Sequence, residues 1–298
     1  MSGKLKEVRE RIKSVQSTQQ ITKAMKMVSA SKLRRAQQAI TEMRPYANRL
    51  DNMMKNIVAN LEGDINSPFV KARDAKKVAI VVITSNRGLC GAFNTNIIKE
   101  AILSVEGKYG AARASKNLSI IFIGKKGYDV LKKRFPDCHL ITEYLDLFSD
   151  LSFENIASVS QKLMDGFSSG LYDHVEVCYG QFRNAAVQEP KAVTFLPVAP
   201  AADQKQEKQK SKADYIFEPD KEALLNELIP SILQTTFQKF ILDNHASEHG
   251  ARMTAMDNAT TNADELMKEL KINYNKARQE AITKELSEIV GGAAALNG

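Results

Sequence analysis

The feature that most constrains this chain is the spacing of apolar and small residues in its final stretch, His245 to Gly298. Met253, Met256, Thr260, Ala263, Met267, Leu270, Tyr274, Ala277 and Ala281 alternate three and four residues apart. That is the pattern of a coiled-coil seam, narrower than the apolar stripe of an ordinary surface helix. The stretch contains no proline, and its glycines are Gly250, Gly291, Gly292 and Gly298. A second register follows at Ile282, Leu286, Ile289, Ala293 and Leu296. The change of register rotates the apolar face, so the end of this helix meets different surroundings from its middle. Such a seam needs a partner helix.

The partner lies at the other end of the chain. Apolar residues fall at Leu5, Val8, Ile12, Val15, then Ile21, Met25, Val28, then Leu33, Ala36, Ile40, Met43, and on through Ala47, Leu50, Met54, Ile57 and Leu61. Spacings of three and four dominate, with slips near Thr18 and Lys32. We read one long helix whose seam is interrupted by stammers. Pro45 removes a hydrogen bond within it, and the apolar phase resumes on both sides, so we expect a kink rather than a break. At ~1.5 Å per residue such a helix is roughly 87 Å long. The C-terminal helix, from Ser231 to Leu296, is about 100 Å long by the same rise. Before it, Asp220 can cap a helix start with Glu222 in the first turn, and Pro230 is expected to kink or interrupt that helix early.

Between the helices the pattern changes character. After a turn-rich connection from Gly63 to Ala75, Lys77–Thr84 is a short, continuous β-branched run, the mark of a strand buried on both faces. Further strands are expected at Leu118–Ile123, His139–Glu143 and His174–Tyr179, with an extended piece at Ala192–Val198. Helices are expected near Asn94–Val105, Lys126–Arg134 and Phe153–Ser168. The alternation argues for a Rossmann-like α/β domain with a largely parallel sheet. The expected organisation is an N-terminal coiled-coil helix over 1–62, an α/β domain over 76–200, a loop segment over 201–219 and a C-terminal coiled-coil helix over 220–298. The fold class is α/β, with an antiparallel coiled coil of the terminal helices around the inserted domain.

Charge is unevenly placed. The net charge is +7, yet residues 1–60 carry 13 Lys/Arg and 4 Asp/Glu, a balance of +9 that leaves −2 for the remainder. A cationic helix of this kind suits nucleic acid, a membrane surface or an acidic protein collar. No apolar run approaches the roughly 18 residues that cross a bilayer, and the charged N-terminus has no signal-peptide core. Three cysteines far apart, Cys90, Cys138 and Cys178, suit a reducing compartment.

Residues that carry covalent chemistry are not assembled by any local motif. Gly88 and Gly91 make a strand-to-helix glycine pair, but GxGxxG and GxxxxGK[ST] are both missing. We expect these glycines to ease a tight turn, with no nucleotide bound. His245, Glu248 and His249 resemble a zincin helix, but Ala246 stands where the first His needs its Glu, so no metal is expected. His139 and His174 sit at strand starts as structural residues. Cys90, after a glycine-rich turn, is expected to be a buried small residue. No catalytic residue and no cofactor are expected.

Four stretches together resemble one family, the gamma chain of F-type ATP synthase. They are ITKAMKMVSASKLRRA (Ile21–Ala36), SNRGLCGAFN (Ser85–Asn94), SEHGARMTAMDNAT (Ser247–Thr260) and ITKELSEIVGGAAAL (Ile282–Leu296). The resemblance covers the whole chain. Its commoner central motif has an acid where Asn86 stands, and the loop Ala201–Ala213 lacks the paired cysteines of the redox-regulated chloroplast type. The resemblance implies a non-catalytic central shaft inside a hexamer of alternating alpha and beta chains. It couples proton-driven rotation of a membrane ring to ATP synthesis or hydrolysis. The implied partners are the alpha and beta chains, the epsilon chain and the c-ring, with no nucleic acid and membrane contact only through the complex. The implied location is peripheral, on the cytoplasmic face of a bacterial inner membrane, or on the matrix side for a mature organellar form. Arg252, Gln279 and Thr283, opposed by Met25 and Lys26, are the implied collar contacts. Tyr215 and Glu218 are the implied contacts to the rotor ring. Ile289, Val290, Ala293 and Leu296 form an apolar tip that can turn in an apolar sleeve, because apolar contacts are non-directional. Two rival readings remain: a coiled-coil nucleic-acid binder, which predicts salt-dependent DNA binding by residues 1–60, and a dehydrogenase-like enzyme, which predicts nucleotide binding by residues 76–200.

Overall fold

The computed structural model describes residues 3–60, 68–70, 73–198 and 221–296. Its elements in order are α1 (Gly3–Asn60), β1 (Val78–Ile83), α2 (Phe93–Leu103), a π-helical turn (Ser104–Lys108), α3 (Gly110–Ala114), β2 (Leu118–Ile123), α4 (Lys125–Arg134), β3 (His139–Ile141), a 3-10 turn (Leu147–Ser149), α5 (Phe153–Ser168), β4 (His174–Phe182), β5 (Gln188–Leu196) and α6 (Lys221–Leu296). They fall into two compact units, residues 1–30 with 252–298 and residues 31–251. Pro45 and Pro230 lie inside α1 and α6, which continue through them. Pro230 therefore does not interrupt its helix.

In the first unit the chain termini pair as antiparallel helices. Lys4 meets Glu280 at 3.2 Å, Arg9 donates to Tyr274 Oη at 2.9 Å, and Gln19 donates to Asp264. Thr22 shares a 2.8 Å hydrogen bond with Thr260, and Lys26 reaches Asp257 at 2.5 Å. As the first partner advances from 4 to 26, the second retreats from 280 to 257 in step. On α6 the seam is the one the spacing predicts, with Met256, Ala263, Leu270 and Ala277 buried at every seventh position.

On α1 the structure corrects the sequence reading. Ile21 and Val28, expected on the seam, are 59% and 57% exposed, while Thr22 and Ser29 are buried. The covered positions include Leu5, Val8, Ile12, Val15, Gln19, Thr22, Lys26, Ser29, Leu33, Ala36, Ile40, Met43, Ala47 and Leu50, alternating three and four without a slip, with Met25, Ala30 and Ala39 beside them. Following the apolar residues instead would require the helix to be overwound locally. It keeps its winding, turns polar side chains toward α6 and pairs Gln19, Thr22 and Lys26 with residues there. There is no stammer near Thr18 or Lys32.

In the second unit five strands form one sheet in the order β3-β2-β1-β4-β5, parallel except for the antiparallel edge strand β5. β1 is buried on both faces, which its unbroken VAIVVI sequence anticipates. Ala79, Val81 and Ile83 meet one core with α5 and the Ile229–Ile241 stretch of α6; Val78, Ile80 and Val82 meet another with α2, Leu131 and Phe135. The π-helical turn, which sequence spacing did not reveal, follows from one buried carboxylate. Glu176 of β4 accepts from Ser104 Oγ at 2.5 Å, from Tyr109 Oη at 2.9 Å and from Lys108, so the extra residue in this turn brings three donors to one acid.

Burial alone would raise the Glu176 carboxyl, but those donors outweigh it and hold it below its ordinary 4.5. A depressed folded value contributes stability above the unfolded value, and that contribution is lost as pH falls through the folded one. Glu176→Gln should therefore cost about 1–3 kcal/mol at neutral pH, with a smaller further loss below pH 4 than the unmodified chain shows; urea titrations across pH check this. In the first unit, Ile21→Ser should change stability by less than about 0.5 kcal/mol. Leu270→Ala should cost about 2–5 kcal/mol; the same titrations read both.

Candidate functional site

The implied contact residues occupy two separate levels of the helix pair. Lys26 forms its ion pair with Asp257 at 2.5 Å, both side chains partly exposed, and Met25 beside it is half-buried. Arg252 lies little more than one helical turn before Asp257 and is buried, 8% exposed. Gln279 and Thr283 are exposed and one turn apart, so they share a face of α6. They stand level with the Lys4–Glu280 pair. About 40 Å of helix, at ~1.5 Å per residue, separates them from Arg252. The structure thus does not gather these five residues into one site.

Beyond Ala281 the second apolar register is uncovered. Ile282 and Leu286 are 51% and 56% exposed, and Ile289 and Val290 are 68% and 64% exposed. Ala293 is exposed as well, and Leu296 is the last residue of α6, its side chain outside the described residues. Tyr215 and Glu218 lie outside the described residues altogether.

The α/β unit has the topology of a ligand-binding fold. In doubly wound sheets a ligand takes the crevice at the carboxyl ends of the strands where strand order reverses, here between β1 and β4. That crevice holds the chain's own helix. Asn244 Oδ1 accepts from the Gly180 N–H and Ser247 Oγ donates to its carbonyl, each at 2.9 Å. Asn244 and Ser247 are fully buried. A β-carbon on Gly180 would stand 2.7 Å from Phe93 of α2, so only glycine lets sheet, α2 and α6 approach this closely. Sequence reasoning missed these residues. The available signals were a glycine inside a strand pattern and the polar break at Asn244 and Ser247 in an otherwise apolar helix face.

The loop after β1 is braced from within. Asn94 Oδ1 accepts from the Ser85 N–H at 3.0 Å, and Asn94 Nδ2 donates to Ser85 Oγ at 2.8 Å. Leu89 at its tip is 64% exposed with a φ of 62°, a conformation unfavourable for a side chain of its size. Cys90 is buried, and so is Cys178, whose thiol burial pushes far up; burial pushes Cys138 up to about 11. Neither Cys138 nor Cys178 is poised as a thiolate near neutral pH. His245 and His249 face one another with 3.1 Å between their Nε2 atoms, and His245 stacks on Phe148.

Comparison with known proteins decides the family. The family model described as ATP synthase matches residues 4–296. An ATP synthase gamma chain of Flavobacterium psychrophilum is 53% identical over 294 residues, spanning 99% of each chain. One from Cytophaga hutchinsonii is 50% identical over 293 residues, spanning 98% of this chain and 99% of that one. Among solved structures, a chain of the Euglena gracilis mitochondrial ATP synthase OSCP/F1/c-ring complex is 26% identical with a TM-score of 0.69, covering 99% of this chain and 95% of that one. A chain from the central stalk/c-ring of Tetrahymena thermophila mitochondrial ATP synthase is 25% identical with a TM-score of 0.57, covering 80% of this chain and 99% of that one.

The chain belongs to the ATP synthase gamma-chain family. At Asn86, where the resemblance implies an acid, the structure shows why an amide serves the fold. Asn86 Oδ1 accepts from the Lys125 N–H at 3.1 Å, at the start of α4, a role either side chain can fill. What the amide gives up is the attraction of a carboxylate to the helix N-terminus, about 0.3–1 kcal/mol at an exposed site. Among the described residues no helix is long and apolar enough to cross a membrane.

The Lys26–Asp257 pair is solvent-exposed, so its coupling should be small. A double-mutant cycle with Lys26→Ala and Asp257→Ala should give about 0.2–1 kcal/mol, shrinking with added salt.

Proposed function

We propose that the helix pair is the central rotary shaft of an F-type ATP synthase, turning within a hexameric collar of alpha and beta chains. One observation carries the reading: the antiparallel pair keeps register from Lys4–Glu280 to Lys26–Asp257, and α6 then continues as an uncovered, apolar stripe. Two helices linked at successive levels resist twisting more than one helix does, as a torque-bearing element requires. The tip contacts, through Ile289, Val290, Ala293 and Leu296, are non-directional, so rotation in an apolar sleeve breaks no hydrogen bonds.

Electrostatics supports the same arrangement. The excess of basic residues over 1–60 attracts acidic collar loops at any angle, since long-range attraction does not demand one geometry. Met25, Lys26 and Arg252 would meet the collar at one level and Gln279 and Thr283 at a second. At the first level an incoming acidic loop competes with Asp257 for Lys26, so the contact is made by exchange of ion partners. Tyr215 and Glu218 would meet the c-ring, and the α/β unit would sit beside the epsilon chain as part of the foot. The chain is non-catalytic, and its rotation imposes successive states on the catalytic beta chains. Its place is peripheral to the membrane, on the cytoplasmic face in a bacterium.

Co-expression with the alpha and beta chains tests this. The expected product contains one copy per three alpha and three beta chains, and deletion of Ile282–Gly298 sharply lowers its ATPase activity. A chain that stays apart from both partners sinks the reading.

A further inference from the structure

The joint between the sheet and α6 has a property that packing alone does not require. Ile229, Leu233, Phe237, Phe240 and Ile241 belong to the core on one face of the sheet, whereas Ala251 belongs to the core on the other. Between them α6 crosses the carboxyl ends of the strands, and two of its buried polar side chains bond the sheet there. Gly180 stands two residues beyond Cys178, the last residue of β4 that pairs with β1. On its other side it faces Pro190 of β5, which has no N–H to give. Asn244 and Ser247 therefore replace a missing strand, accepting from one end of a single peptide residue and donating to the other. One turn later Gly250 lies so close to the β4–β5 connection that a β-carbon would come within 3.3 Å of the Ala185 backbone.

Apolar contacts hold a helix against a sheet but resist sliding and rolling weakly, because they have no preferred direction. Hydrogen bonds lose strength steeply with misalignment, so two of them to one residue fix both position and roll. We infer that Gly180, Asn244 and Ser247 form the torque joint of this chain, the point at which the α/β unit is locked against rotation of α6 about its own axis. This inference rests on the rotary reading above. Asn244 and Ser247 are positioning residues; they touch neither nucleotide nor ion.

The test uses the whole ATP synthase in sealed vesicles and separates unloaded from loaded operation. With the ion gradient collapsed, Ser247→Ala should hydrolyse ATP at the rate of the unmodified complex. Against a high opposing gradient, its ions pumped per ATP should fall by about twofold or more, as the weakened joint slips under load. Asn244→Ala should do the same, and Ser247→Ala alone suffices if that variant fails to assemble. Phe240→Leu, which trims packing on the same helix without touching a hydrogen bond, should lower thermal stability and leave the loaded ratio unchanged. The inference is overturned if Ser247→Ala pumps normally under load. It is also overturned if its loaded and unloaded activities fall together, or if Phe240→Leu slips equally. If the unmodified complex pumps no ions at all, the rotary reading fails, not the joint.

Discussion

A helix keeps its winding unless something strong forces it otherwise, and much of this structure depends on that constraint. From Leu5 to Leu50 the covered face of α1 recurs every three and four residues without a slip. The sequence does not supply apolar residues at every one of those places. Where it fails, at Gln19, Thr22, Lys26 and Ser29, polar side chains turn inward, and three of them find partners on α6. Polar positions at a helix seam, of which Thr22 and Ser29 are buried here, cost stability and specify register and orientation, which a shaft needs more than it needs extra stability. Ile21, Met27 and Val28 are left on the outside of the pair, an apolar surface that the chain alone does not cover.

The α/β unit obeys a second constraint, that buried backbone groups must be paired. Its sheet has the strand order of ligand-binding folds, but β4 outruns β1 and leaves Gly180 without a strand neighbour on the β1 side. The helix supplies Asn244 and Ser247, and in doing so fills the crevice where such folds hold a cofactor. The place where such folds hold a ligand is occupied here by the chain's own helix. The same pairing rule explains Glu176, whose charge is tolerated in the core because a π-helical turn delivers three donors to it.

What was legible in the sequence follows from which signals are periodic. The α6 seam could be read residue by residue, because Met256, Ala263, Leu270 and Ala277 are all apolar and evenly spaced. The strands at Val78–Ile83 and Leu118–Ile123 were equally plain, being short apolar runs rich in β-branched residues between turns. The α1 seam misled because polar residues hold its middle, and apolar Ile21 and Val28 invite the wrong phase. The Gly180 joint was hidden because its members lie 64 and 67 residues apart along the chain. No local pattern announces a side chain that serves as a strand. The collar contacts were named by resemblance alone, and the helix spacing separates them into two levels that a motif does not display.

The central claim is that this chain turns as a shaft, and direct observation of rotation tests it best. With the alpha–beta collar fixed to a surface and a bead attached through the α/β unit, ATP should drive the bead in one sense, in three steps per turn. A bead that only fluctuates about one angle while ATP is hydrolysed at full rate would contradict the account.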